Sequence, residues 1–266
     1  ILALSGKKLA ELQKQINNSG KPASFEFDAA TATINLARTR KPVPAANIVG
    51  IIEGSDPVLK GECVVYMAHY DHLGVDPQGD VYNGADDNAS GVAGLLEIAE
   101  AFTKLDKKPR RSIVFAWVTG EEIGLLGSLW YTQHPVIPLD KTVACINLDM
   151  IGYNSDASPV YEMHIRPSAA YPEDWEIATT LRDVVSLYNL NLTTQIVQDS
   201  WWISDHDSFW DYGYPAVWVF EDYENFNPYY HSTNDQIESV NMPYVRDIVR
   251  AAVGAAAHLA HVIDLK

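Results

Sequence analysis

Cysteine is scarce in this chain: Cys63 and Cys145 are the only two among 266 residues, and both fall inside apolar, strand-like runs. So low a count excludes a disulfide-stapled scaffold and a thiolate-rich structural zinc site. The pair reads as two buried free thiols or as one bridge between neighbouring strands. Positive charge is also short, with 19 basic residues against 35 acidic and a net charge of −16. That argues against a nucleic-acid partner, which would want a basic face. Bound divalent cations would offset part of the acidic excess, and solvated surface accounts for the rest. No apolar run reaches the length of a transmembrane helix. Neither a HExxH helix nor a GxSxG nucleophile elbow is present, so two common hydrolase classes lose their support. The chain opens at Ile1 rather than Met, with no signal-peptide pattern, and so reads as a processed or trimmed product whose targeting segment is missing.

At 47% hydrophobic, the chain can bury a substantial core as one large domain. Residues Lys7 to Asn17 carry helical spacing at Leu9, Leu12 and Ile16, and the alternating segments Ser24–Phe27 and Thr31–Ala37 read as strands. Lys41-Pro42-Val43-Pro44 is an extended linker, because each proline also restricts the residue before it. The domain boundary falls there, with residues 1–45 as an N-terminal segment and 46–266 as the main domain. Strands are expected at Asn47–Ile52, Cys63–Ala68, Ser112–Val118, Thr142–Leu148, Val160–Ile165 and Ala216–Phe220. Helices are expected from Val92 to Phe102, from Ile123 to Gln133 and from Glu173 to Tyr188, with a short one opened by Ser204-Asp205-His206-Asp207. A last helix follows, capped by Asn241 with Pro243 in its first turn. Strands alternating with helices predict a three-layer α/β/α sandwich around a mixed, largely parallel sheet. Ligands of such sheets gather beyond the carboxyl ends of the strands.

Charged residues are placed at those ends. The strand Ser112–Val118 runs into Glu121 and Glu122, and two adjacent carboxylates at the end of a core strand are costly to bury without a positive partner. Cys63–Ala68 ends at His69 with Asp71 two residues on, a spacing that suits a ligating imidazole whose second nitrogen is held by a carboxylate. Thr142–Leu148 ends at Asp149. Asp86, Asp87 and Asn88 precede a helix, and His231 sits in a loop rich in Tyr and Asn. Each has an ordinary turn or cap explanation taken singly. Together, two histidines and three carboxylates from five element ends form a mixed nitrogen and oxygen set suited to zinc.

The segments HYDHLG, NGADDNASG, TGEEIGLLGS, NLDMIGY, SDHDSFW and YYHSTND resemble, in order, the motif series of the dizinc aminopeptidases of metallopeptidase family 28. The resemblance spans residues 47–266. It implies that His69, Asp87 and Asp149 hold one zinc and that Asp87, Glu122 and His231 hold the other. Asp87 would then bridge, with Asp86 as its neighbour, Asp71 would orient His69, and Glu121 would be the general base. The implied reaction is hydrolysis of the N-terminal residue of peptides with a free N-terminus by a water shared between two zinc ions. A secreted or periplasmic location follows from the same resemblance. Residues 1–45 resemble the returning end of an inserted protease-associated domain, or a linker.

Other residues carry weaker expectations. Tyr229 and Tyr230 are candidates for oxyanion binding or for aromatic packing. Glu221 and Asp222 either attract a substrate ammonium or face solvent. Trp201, Trp202 and Trp210 line an apolar pocket or belong to the core. Three rival activities fit the same scaffold. A glutaminyl cyclase would work with one zinc and is disfavoured by His69 together with Asp149. A carboxypeptidase would need a basic cluster near the motifs, and none is visible. A metal-free, receptor-like relative should have lost ligands, whereas all six positions are occupied.

Overall fold

A computed structural model describes residues 5–26, 31, 33–37, 43–155, 160–198 and 203–262. The contacts divide the chain into two units, Ile1–Pro44 and Ala45–Lys266. In the first, helix α1 (Leu9–Ser19) ends at Gly20, whose left-handed φ of 60° lets its N–H donate to the Ile16 carbonyl at 2.8 Å. The two strands expected at Ser24–Phe27 and Thr31–Ala37 are not seen among the described residues: residues 24–26, 31 and 33–37 carry no regular secondary structure. Phe27 and Ala32 lie outside the described residues. Alternation is only half of a strand, because the backbone also needs a ladder partner and one face needs a core. None of the described residues of this unit is buried.

The second unit is built on a seven-stranded sheet of order β1-β5-β2-β6-β9-β7-β8. Its strands are β1 (Ile48–Ile52), β2 (Cys63–His69), β5 (Ser112–Val118), β6 (Thr142–Leu148), β7 (Glu162–Pro167), β8 (Thr193–Ile196) and β9 (Ala216–Phe220). The central run β5-β2-β6-β9 is parallel, while β1 and β7 join it antiparallel. A two-residue hairpin, β3 (Gly74–Val75) with β4 (Val81–Tyr82), stands apart. Strand β2 is buried at every position, which explains why its sequence is a continuous apolar run rather than an alternation. The pleat sorts that run between two cores. Val64, Tyr66 and Ala68 join the larger core with α2 (Gly91–Thr103), α4 (Pro172–Leu187) and α6 (Met242–Leu259). Cys63, Val65 and Met67 face the other, with Tyr131 of α3 (Leu126–Gln133) and Phe209 of the short α5 (Asp207–Trp210). Helices therefore cover both faces, giving the expected three layers.

Several particulars follow from local chemistry. Asn241 caps α6, its side chain accepting from the Tyr244 amide at 3.3 Å. Helix α6 lies close on α4 because Gly254 has no Cβ, an atom that would stand 2.4 Å from Val184. Helix α3 begins at Leu126, three residues later than its apolar spacing suggests, because Gly124 and Leu125 take left-handed φ values of 109° and 57°. Both cysteines are free and buried. No helix among the described residues is long and apolar enough to cross a membrane.

Candidate metal centre

Three neighbouring strands, β5, β2 and β6, run parallel and finish at one edge of the sheet, with His69 level with Val118. The residues that continue them therefore meet. Beyond β5 the chain turns through Thr119 and Gly120 to Glu121 and Glu122. Beyond β6 it places Asp149, and the turn Ala85–Ser90 ahead of α2 delivers Asp87, whose peptide bond to Asn88 is cis. His231 comes from the loop after β9 in a left-handed conformation, φ 53°.

His69 Nε2 lies 3.2 Å from Asp149 Oδ1 and 3.4 Å from Asp87 Oδ1. His231 Nε2 lies 3.3 Å from Asp87 Oδ2 and 3.1 Å from Glu122 Oε2. The Asp87 carboxylate thus turns one oxygen to each histidine. Among the described residues three sets of ligand-type atoms fall close enough together to hold an ion: His69 with Asp87 and Asp149, and His72 with Asp87 and Glu122, both in this cleft, and Glu162 with His164 and Asp222. Burial works against ionising Asp87, but the His231 and His69 rings outweigh it and hold the carboxyl below the ordinary aspartate range. Burial likewise disfavours a charged His69, yet the Asp149 carboxylate beside it lifts the ring well above the ordinary value. Hydrogen bonding to Asp87 raises His231 in the same direction. Glu121 responds differently. Burial first, then the Asp149 charge, push its carboxyl far above the ordinary glutamate value. A cleft in which carboxylates outnumber the imidazoles and one acid is forced to keep its proton is electrostatically suited to cations.

Supporting groups complete the site. The Asp71 carboxylate accepts from the amides of Glu121 at 3.3 Å and Glu122 at 3.4 Å, tying the paired-glutamate turn to the end of β2. Its expected contact with His69 takes another form: His69 Nδ1 is 3.1 Å from the Asp71 carbonyl oxygen and 3.8 Å from the carboxylate. Spacing along the chain does not show which acceptor of a residue a ring will meet. Ser204 donates to Asp149 Oδ2 at 2.5 Å and accepts from Asn147 Nδ2 at 2.8 Å, so the first residue of the SDHDSFW segment anchors a candidate ligand. Asp235 accepts from the amides of Asp86 and Asp87, at 3.1 Å from each. Asp86 itself turns away, accepting from Gly152 N at 2.7 Å and Asn227 Nδ2 at 3.1 Å, and burial pushes its carboxyl up to about 7. Sequence reasoning assigned no role to Ser204, Asp235 or His72, although all three lie within quoted motif segments.

The peripheral expectations divide. Tyr230 stacks on His231 at 3.8 Å between ring centroids, whereas Tyr229 is exposed. Glu221 does not face solvent or the cleft: it is fully buried and accepts from the Tyr153 and Asn227 amides. Asp222 is buried too, engaged by the Glu224 amide and the Asn225 side chain. Both acids answer to backbone donors in a loop, a need that no residue pattern announces. Trp210 packs in the second core and donates to Asp174 at 2.8 Å. Trp201 and Trp202 lie outside the described residues. A cavity of about 40 Å³ adjoins Glu121, Asp87, Asp149 and His231, and its apolar wall includes Met150, Ile203, Trp218, Phe220, Phe226 and Tyr230. A larger groove of about 770 Å³ between α2 and α6 shares no residue with it and carries none of this chemistry.

Fold and cleft together define an α/β protein that gathers imidazoles and carboxylates at the carboxyl edge of a doubly covered sheet. The chain belongs to Peptidase family M28, which matches residues 47–256. Aminopeptidase YwaD of Bacillus subtilis (strain 168) is 31% identical over 217 residues, covering 78% of this chain and 44% of the relative. The structure of BSAP, a zinc aminopeptidase from Bacillus subtilis, superposes with a TM-score of 0.67 at 25% identity, over 80% of this chain and 49% of that one. The Legionella pneumophila LapA aminopeptidase gives 0.67 at 27% identity, over 80% and 54%. The chain spans about half the length of the relatives it matches.

Proposed function

We propose that this protein is a zinc aminopeptidase that removes the N-terminal residue of peptides with a free N-terminus, using two zinc ions. The observation that carries the reading is the division of the Asp87 carboxylate, Oδ1 toward His69 and Oδ2 toward His231. His69, Asp149 and Asp87 would hold one ion, and Glu122, His231 and Asp87 the other. Bound there, zinc would supply Lewis acidity, lowering the pKa of a water and polarising the scissile carbonyl. The chain's own residues do the rest. Glu121, held by its amide on Asp71 and bordering the cavity, takes the proton of the attacking water and passes it to the leaving amine. A glutamate that protein groups alone keep protonated has the basicity to accept that proton once nearby cations offset the Asp149 charge. The aromatic wall from Trp218 to Tyr230 favours an apolar first side chain and excludes water around it. The names of BSAP, YwaD and LapA support the same reaction class.

The test is a panel of aminoacyl chromogenic substrates with N-blocked controls, run on wild type and Glu121→Gln beside zinc analysis. Wild type should carry about two zinc per chain and cleave only the unblocked substrates. Glu121→Gln should lose turnover by at least about 100-fold while keeping its zinc. Equal cleavage of blocked substrates, a fully active Glu121→Gln, or a wild type that takes up no zinc would each overturn the reading.

A further inference from the structure

The HYDHLG segment contains a histidine that the reaction above leaves unused. His72 is half-buried, with its side chain only 9% exposed, and its Nδ1 lies 2.7 Å from Glu122 Oε1. That is the shortest histidine–carboxylate contact among the described residues, closer than the 3.1 Å between His231 and Glu122 Oε2. The two Glu122 oxygens are thereby divided, Oε1 to His72 and Oε2 to His231. Asp87 Oδ2 stands farther from His72 Nδ1, at 3.7 Å.

The other ring nitrogen decides what His72 does there. Its Nε2 is buried and has no hydrogen-bond partner. With the ring's proton on Nδ1, it donates to the Glu122 carboxylate and only a lone pair at Nε2 goes unmet. The opposite tautomer would bury an N–H with no acceptor and set a lone pair against a carboxylate, which is the costlier arrangement. Direct ligation through Nδ1 would force that costlier tautomer. A ligating imidazole ordinarily gives its second N–H to an acceptor, and none is present here. The ring is also built into its place. Gly84 has a left-handed φ of 62°, and a Cβ there would lie 2.6 Å from His72 Cγ and 2.8 Å from Cδ2. The glycine ahead of the Asp86-Asp87-Asn88 trio therefore leaves the room that the imidazole fills.

We propose that His72 is a positioning residue that clamps Oε1 of Glu122, leaves Oε2 as the single ligating oxygen, and so sets how tightly the Glu122–His231–Asp87 site holds its ion. The proposal rests on the two-zinc reading. Without the clamp, the Glu122 carboxylate is free to rotate and must be ordered by the ion itself.

Competition titrations with a chromogenic zinc chelator on intact wild type, His72→Ala, His72→Asn and His72→Gln separate the cases. The carboxamide nitrogen of Asn falls near the place of Nδ1 and that of Gln near the place of Nε2. His72→Ala and His72→Gln should weaken one of the two zinc sites by about 10–100-fold and leave the other unchanged. His72→Asn should keep wild-type affinity within about threefold, since it retains the donor. If His72→Ala does not fold, the Asn and Gln variants make the same comparison. Two sites of unchanged affinity in His72→Gln would overturn the clamp while the two-zinc reading stands. His72→Asn as weak as His72→Gln would overturn it in favour of direct ligation. Wild type binding no zinc would overturn the two-zinc reading itself, and the clamp with it.

Discussion

His206 offers a pH dependence whose sign and size follow from its surroundings. The ring is fully buried, edge-on to Trp210 at 4.4 Å and stacked over Trp218 at 5.4 Å. Neither nitrogen has a hydrogen-bond partner, and Nε2 is 3.9 Å from Asp207 Oδ1. Burial, followed by the Arg166 charge, lowers its pKa from the ordinary 6.5 to about 3. Between those values the unfolded chain binds a proton that the folded chain does not. Stability is therefore retained above pH 6.5 and lost as pH falls toward 3, at about 1.4 kcal/mol per pH unit once the unfolded ring is charged. His206→Phe preserves the aromatic packing and removes the proton. Relative to wild type, the variant should gain about 2.5 kcal/mol between pH 7 and pH 4.5. Urea unfolding of both proteins across that range, at equal zinc, measures the difference directly. Titrating carboxylates common to both proteins cancel in the subtraction. Stability curves that stay parallel from pH 7 to 4.5 would refute the assignment of a neutral, unpartnered ring.

Asp71→Asn keeps the size of the side chain but leaves one acceptor oxygen for the two glutamate amides. It should lower kcat and the zinc affinity of the Glu122 site by about 10–100-fold with little change in KM, as read by steady-state kinetics and zinc titration. An unchanged rate would mean that the turn carrying Glu121 needs no anchor. Burial pushes the Cys63 thiol up to about 11 and raises Cys145 well above its ordinary value, and both are fully buried. Neither should react with a disulfide reagent in the native protein, and both should react in urea; modification under native conditions would show that this core opens.

The strand order could not be read from residue pattern, yet six of the sheet's seven strands could, the short edge strand β8 being missed. The runs at Cys63–Ala68 and Ser112–Val118 are apolar because helices cover both faces of the sheet, and such burial leaves a direct mark on composition. The same patterning failed at Ser24–Phe27 and Thr31–Ala37, whose described residues alternate but form no ladder and are not buried. Helix α3 was shortened by left-handed residues that its apolar spacing ignores. In the cleft, His69, Glu122 and Asp149 stand out in the sequence because a metal-type side chain at the end of an apolar run is chemically conspicuous, while Asp87 and His231 are picked out by the motif resemblance. Ser204, Asp235 and His72 do not, because serine, aspartate and histidine in loops have many commoner uses.

Sequence alone determined which side chains this protein has available for chemistry and that most of them lie at the ends of core strands, with Asp87 and His231 in the connecting segments. It did so because apolar periodicity and the cost of burying charge are local properties. Folding decided which of them meet. That Asp87 rather than Asp86 faces both histidines, that Asp71 presents its carboxylate to the glutamate amides, and that His72 takes one oxygen of Glu122 depend on parallel strand register and on the turn before α2. Those are relations between residues dozens of positions apart, set by hydrogen-bonded ladders and packing rather than by neighbours along the chain.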